Sequence, residues 1–538
     1  MKKKLLSIIL CTFLISTAIS CGKGNSNTDE NNTADKGKDS ISIYVGGTIF
    51  DSSLDPIKGA MSYGYSFTNC ALTKVNPESE YEGDLATSWE ISDDSLSYTF
   101  NLREDVEFQD GSEFTAEDVV FTYETVKRNQ AENESVDLTK LKSVEAIDDY
   151  TVKFTLSEAY SPFFDAVAKL GIVPSDNYDS EKFNEYPIGT GPWEVVQYDT
   201  EQQIIVKANE NYYEGAPKIK QVTFVNMDNE AAFSNAKSGQ LDIVMVGPNY
   251  ATEEIDEMNL INFETMDVRN ISLPCKPEQV VIDKDGNEVK VGNNVTSDVT
   301  VRKALSIGID RQLIIDNALN SIGSPAEGFT DNLKWGGVIS YEDNKKDEAN
   351  IILDEAGWID SDNDGIREKD GVKCEFTVHA SASDQQRYLL AVAVAEDAKE
   401  LGIKIDVKQS SWDEIYKICN KDSVVWGWGQ YSPIVLKNLL YSDKFLDGGT
   451  NNTVGYSNEK VDSLIDEAIN SSNQDNAVEC WRDAQKTAAE DYPYLYIVNI
   501  EHSYFVNDSI DISMDTQIPH PHGHGSPIIC NMKDWTIE

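Results

Sequence analysis

Histidines, basic side chains and long apolar runs are all scarce in this sequence. Its 538 residues contain 5 histidines, and 45 lysines and arginines stand against 93 aspartates and glutamates, a formal net charge of −48. So acidic a chain excludes nucleic acid as a partner, because phosphate binding depends on lysine and arginine. The excess charge gives solubility and repels anions. Beyond the N-terminal segment, no stretch approaches the roughly 18–20 continuous apolar residues that span a bilayer. No CxxC pair occurs among the cysteines, which excludes a zinc ribbon. The scatter of Cys70, Cys275, Cys374, Cys419, Cys480 and Cys530 does not suit a small disulfide scaffold, and sequence leaves bridges and buried thiols equally open. GxSxG, HExxH and phosphate-loop patterns are also missing. A secreted hydrolase using paired carboxylates, the competing function class, therefore has no motif behind it.

What is present is an ordinary globular composition, 40% apolar, 9% aromatic and 26% charged, on a chain longer than one core usually supports. Two or more structural units are expected. Lys2, Lys3 and Lys4 precede an apolar run from Leu5 to Ile19, the pattern of an export signal over 1–20. Ser20, Cys21 and Gly22 resemble a bacterial lipobox, with Cys21 lipidated. Residues 21–40 carry almost no large apolar side chain and read as a flexible tether. The body is thus expected outside the cytoplasm, lipid-anchored to the outer face of the cell membrane, or in the periplasmic space if the cell has an outer membrane.

Along the body, "ISIYVGG" and "LSYTFNL" alternate as half-buried strands do, and "QDG" marks a turn. Thr115 and Asp118 form a capping box for a helix through Val126, stapled by Phe114 and Val119. "DQQRYLLAVAVAEDAKELGIKIDVKQ" reads as helix, Gly402, then strand, a unit that builds parallel sheet. "DKDGNE" signals a β-hairpin.

The segment from 82 to 126 resembles the signature of the peptide/nickel solute-binding proteins, family 5 of the bacterial extracellular receptors of ATP-driven importers. Ala86, Asp94, Tyr98, Phe100, Leu102, Arg103, Asp105, Val106 and Phe108 fall where that signature expects them. "YPIGTGPWEVV", "NENYYEGAPKIKQVTF", "AKSGQLDIV", "VRKALSIGIDRQLII", "ILDEAGWIDSDNDGIREKDG" and "VGYSNEKVDSLIDEA" follow in family order. The resemblance implies an α/β, two-lobed periplasmic-binding-protein-like fold of class II type, with a hinge and an extra subdomain in the first lobe. It places the first lobe at 41–267 plus 503–538, the inserted subdomain at about 76–186, and the second lobe at 268–502. It also implies a monomeric, non-enzymatic receptor that captures a peptide-like or metal-chelate ligand and delivers it to ABC permease and ATPase subunits.

Aromatic rings beside few polar groups suit a closing cleft, because they bury much area with little conformational freedom lost. Candidate ligand contacts are Trp426, Trp428, Gln430 and Tyr431 in "WGWGQYSP", which follows a strand-like "SVV", with Tyr63, Asn249 and Tyr250. Peptide-binding relatives place an aspartate near Gln430 to hold an ammonium group, and glutamine cannot form that ion pair. Asp360, Asp362 and Asp364 open like a calcium loop, but Gly371 stands where the bidentate glutamate belongs, which favours a polar hairpin turn. Three of the histidines, His520, His522 and His524, alternate in "HPHGHG" just before an expected last strand, "IICNMKDWTI". Imidazoles so spaced suit nickel or zinc, free or as a chelate, while proline and glycine suit an exposed turn. No cofactor is required by any motif.

Overall fold

The computed structural model describes residues 39–538, apart from 52, 61–65, 134, 330, 519 and 521–524. The signal segment and Cys21, the tether to residue 38, Tyr63, His522 and His524 lie outside the described residues. No helix among the described residues is long and apolar enough to cross a membrane.

Strand Ser40–Tyr44 buries Ile41 and Ile43. It runs parallel to Gln221–Val225 on one side and to Ile243–Val246 on the other. Antiparallel strands Gln203–Ala208 and Trp193–Asp199 extend that edge. In the other direction the sheet passes through Tyr494–Asn507 to Met258–Ser272 and then Ser423–Trp428, all antiparallel. It ends on Glu375–Ser381 and Lys404–Ser410, which run parallel to each other.

Met258–Ser272 and Tyr494–Asn507 are long enough to serve both halves of this sheet. They pair from Met258 opposite Asn507 to Ser272 opposite Tyr494, and their register shifts between Glu264 and Val268 and again after Arg269. Such irregularities bend and twist a strand pair. On one side of the shift a core gathers Ile43, Trp193, Phe224 and Tyr504; on the other a second gathers Ile271, Leu305, Leu390 and Ile497. The architecture is α/β and two-lobed, and its halves share continuous strands.

The antiparallel sheet Ala86–Ile91, Ser97–Leu102, Thr151–Leu156 and Leu141–Asp148 is covered by helix Ala116–Arg128. Asp118 Oδ2 accepts the Thr115 amide at 2.9 Å and its hydroxyl at 3.1 Å, so the helix starts where the capping box predicts and runs slightly farther than expected. This sheet shares one apolar core with helices Ile434–Leu440, Glu459–Ile469 and Gln474–Ala489. Helix Gln385–Ala398, the left-handed Gly402 and the parallel strand Lys404–Ser410 form the expected unit. "DKDGNE" turns the hairpin Gln279–Ile282 to Glu288–Val291.

Two expectations are corrected. "IICNMKDWTI" is not a strand: Pro527–Asp534 is 3₁₀-helical, and only Thr536–Ile537 is extended. Its buried Ile528, Ile529, Met532 and Trp535 recur with helical spacing rather than alternating. The tryptophans of "WGWGQYSP" do not follow their strand but end it, since Ser423–Trp428 is one strand. The six cysteines among the described residues are all free thiols.

Candidate functional site

At the register shift the chain buries charge. Asp267 and Arg269 sit two residues apart on Met258–Ser272, 1% and 5% exposed, and the Arg269 guanidinium donates to Asp267 Oδ1. Thr265 prepares the kink: its hydroxyl donates to the Ile500 carbonyl at 2.7 Å and accepts the Asp267 amide at 2.9 Å. From helix Gln385–Ala398 and its N-cap come Arg387 and Asp384. Arg387 Nε donates to Asp384 Oδ2 at 2.9 Å, its Nη1 donates to the Val425 carbonyl at 3.0 Å, and Arg269 lies 3.9 Å from the same carboxylate.

His502, from the facing strand, completes the group. Burial pulls its imidazole down to about 4; the Asp267 charge opposes that shift, while Arg269 and His520 add to it. Burial likewise pushes the Asp267 carboxyl up against the pull of Arg269, His502 and Arg387. Asp384 is also raised by burial, but Arg269 and Arg387 outweigh it and hold the group below the usual carboxylate range. Two carboxylates and two guanidiniums removed from water are costly unless well paired. Among the described residues, Arg269 Nε and His502 Nδ1 have no hydrogen-bond partner.

Beside this cluster runs a row of indoles. Trp426 lies between Trp412 and Trp428, with ring centroids at 6.0 and 5.6 Å, and Arg387 lies 5.3 Å over the Trp412 ring. The register sets Trp428 opposite Val268 and Trp426 opposite Asn270. Asn270 is fully buried, and neither of its amide atoms has a partner among the described residues; the same holds for the indole N–H groups of Trp426 and Trp428. Buried polar atoms in native proteins are almost always paired, and these exceptions gather at the end of strand Ser423–Trp428 and at the residue facing it.

Gly429 makes the approach of the two strands close. A Cβ there would stand 2.6 Å from the Met266 carbonyl carbon and 3.1 Å from the Asp267 nitrogen, so only glycine lets backbone meet backbone. Gln430 follows half-buried, and its amide makes no hydrogen bond among the described residues. Tyr431 turns away into a second cavity, where its hydroxyl donates to the Ser79 carbonyl at 2.5 Å and its own carbonyl accepts the Trp335 indole at 3.0 Å.

The remaining sequence candidates separate. Tyr250 stacks on Phe233 at 4.6 Å, and Asn249 is exposed, its carbonyl accepting the Thr252 hydroxyl at 3.2 Å. Trp426, at 2% exposure, is a core residue packed with Ile415, Cys419 and Val424. His520 itself is buried, 5% exposed, and close enough to His502 to influence its charge. The "DSDNDGIRE" loop folds as a polar turn, in which Asp360 and Asp362 accept backbone amides and Lys373 pairs with Asp362 and Asp364. Asp267, Arg269, Asp384, Arg387 and His502 escaped the sequence reading. The one signal for them was a charged pair at alternate positions inside an otherwise buried strand.

Residues 80–444 match the family profile described as bacterial extracellular solute-binding proteins, family 5 Middle. Protein XP55 of Streptomyces lividans is 31% identical over 503 residues, covering 90% of this chain and 88% of that protein. The oligopeptide-binding protein AppA of Bacillus subtilis is 29% identical, covering 99% and 98%. Among solved structures, NikZ from Campylobacter jejuni in complex with Ni(L-His) superimposes with a TM-score of 0.76 at 25% identity, over 93% of this chain and 99% of that one. A profile match across most of the chain, near full-length relatives and the same two-lobed fold agree: the chain belongs to the bacterial extracellular solute-binding proteins of family 5.

Proposed function

We propose that this solute-binding protein captures a peptide-like or metal-chelate ligand between its lobes and delivers it to an ABC permease, held at the membrane by a lipid on Cys21. The observation that carries the reading is the buried cluster of Asp267, Arg269, Asp384, Arg387 and His502 at the shift in the shared strands, where Arg269 Nε and His502 Nδ1 have no hydrogen-bond partner among the described residues. A ligand with carboxylate groups would meet guanidiniums able to bind it bidentately. His502, neutral at pH 7, and the adjacent His520 offer imidazoles to a bound metal chelate. The half-buried Trp428 and Gln430 extend the same surface.

The lobes in this proposal are 41–267 plus 503–538 and 268–502, with the hinge at the bulged stretch after Glu264 and its partner near Glu501. Ligand then shifts an open–closed equilibrium and presents one surface to the permease. Native mass spectrometry of the mature protein from its own cells should show a non-covalently held solute. Solution scattering with that solute, or with Ni(L-His)₂ and with a tripeptide as probes, should show a smaller radius of gyration. No retained solute, together with unchanged scattering at saturating probe, would reject the reading; turnover of peptides or glycosides would replace it with the hydrolase.

A further inference from the structure

We propose that the aromatic cavity beyond Tyr431 anchors a protonated amino group of the solute on Asp165. The inference rests on the receptor reading above and names a chemical feature of the ligand. The cavity, of about 400 Å³, lies between the inserted four-stranded sheet and helix Gln474–Ala489. That volume is within the range of small-molecule sites. Its walls include Trp89, Phe164, Trp335, Tyr431 and Trp481.

Asp165, on helix Phe163–Lys169, lines this apolar space. One carboxylate oxygen accepts the Tyr81 hydroxyl; the other is buried and has no hydrogen-bond partner among the described residues. The buried indole N–H of Trp481 is also unpartnered there. A carboxylate taken from water among rings is costly unless a cation or further donors reach it, and aromatic faces attract cations. Burial pushes the Asp165 carboxyl above its usual range, against the pull of the Ser432 and Tyr81 hydroxyls and of Lys169. Lys169, one helical turn on, interacts electrostatically with Asp165 but does not line this cavity. The charges at the rim, Glu80 and Lys334, are exposed and opposite in sign. Gln430, next to Tyr431, carries no charge. Asp165 is thus the inner carboxylate of the cavity, and a primary ammonium on an apolar stem would donate to its unpartnered oxygen and bring a positive charge into the cavity.

The test uses two probes of matched shape and opposite charge, phenethylammonium and 3-phenylpropionate, on the mature protein at pH 7. Calorimetry and the fluorescence of the lining tryptophans follow binding. Phenethylammonium should bind saturably and 3-phenylpropionate should not; Asp165→Asn should weaken the amine at least tenfold, and Asp165→Glu should recover part of that loss. Equal binding of the two probes, or an amine affinity indifferent to Asp165→Asn, overturns the inference. If Asp165→Asn fails to fold, the comparison of probes on the wild-type protein still decides. Loss of the receptor reading would appear as no captured solute and no closure, with the probe comparison unaffected. Capture and closure with an indifferent Asp165→Asn would reject the amine anchor alone.

Discussion

Gly429→Ala tests whether the close approach of the two strands holds the site together. The new methyl carbon would stand 2.6 Å from the Met266 carbonyl carbon, with the carbonyl oxygen closer still. Carbon atoms in contact prefer about 3.5–4.0 Å, so one strand must retreat by about 1 Å. Both are backbone, so no side-chain rotation relieves the clash. Overpacking of a buried site costs about 1–3 kcal/mol, and loosening one ladder bond between Met258–Ser272 and Ser423–Trp428 adds about 1 kcal/mol. The variant should lose about 2–4 kcal/mol, seen as a lower urea midpoint at unchanged slope. Solute affinity should fall with it, because Trp428 and Gln430 move with the strand. Gly47→Ala is the control: its Cβ would meet only Asn226 Oδ1, at 3.8 Å, and a change of under about 0.5 kcal/mol is expected. If Gly429→Ala and Gly47→Ala unfold at the wild-type midpoint, the reasoning from backbone proximity is wrong.

Three further outcomes are expected. Burial lowers the folded-state pKa of His502 to about 4 from its ordinary value of 6.5, so between those values the unfolded chain binds more protons. Stability should therefore fall as pH drops through that window, by about 3 kcal/mol in total from this group. The raised Asp267 works in the opposite sense at the acid end; His502→Asn should flatten the difference between denaturation midpoints at pH 7 and pH 5, and an unchanged difference would refute the assignment. Arg387→Met strips a partner from Asp384, whose side chain is 28% exposed, so the loss should fall near or below the low end of the about 3–5 kcal/mol typical of buried pairs. Adding Asp384→Leu should recover part of it in a double-mutant cycle, whereas strict additivity would show that the pair is not coupled. Cys21→Ser should release the protein from membranes or block its processing; a processed, membrane-bound mutant would rule out the lipid anchor.

Local rules carried far along this chain. The capping box at Thr115 and Asp118, the alternation of Ser97–Leu102 and the helix–Gly402–strand unit are each written within a few residues, and each folds as written. Tertiary packing decided the rest. Pro527–Asp534 is apolar enough for a strand, yet its buried residues meet the core around Tyr504 and Trp193 on one helical side. The ionic cluster draws on positions from 267 to 502, and beyond the alternate spacing of Asp267 and Arg269 nothing in so acidic a chain distinguishes its carboxylates from ordinary solvated ones. Burial distinguishes them, and burial is a property of the whole sheet.

The histidine-rich turn shows the same limit more sharply. The spacing of His520, His522 and His524 directs attention along the chain, as if they were one another's natural partners. A neighbour that His520 influences lies on strand Tyr494–Asn507: His502, nearly as buried, whose charge Asp267 and Arg269 also affect. An isolated exposed imidazole titrates near neutrality, and a metal loop built from three of them would lose its ion as the pH fell through that range. A buried imidazole such as that of His502 does not behave so. Burial holds His502 neutral until about pH 4, so one ring nitrogen stays able to accept a hydrogen bond or bind a metal long after exposed histidines have charged. A ligand held there through His502 should keep its affinity down to pH 5, whereas one held by exposed imidazoles would be released near pH 6. A titration of Ni(L-His)₂ binding between pH 7 and pH 5 separates the two arrangements when the free chelate is measured in parallel, since its own stability changes over the same range. Release that outpaces dissociation of the free chelate would count against His502.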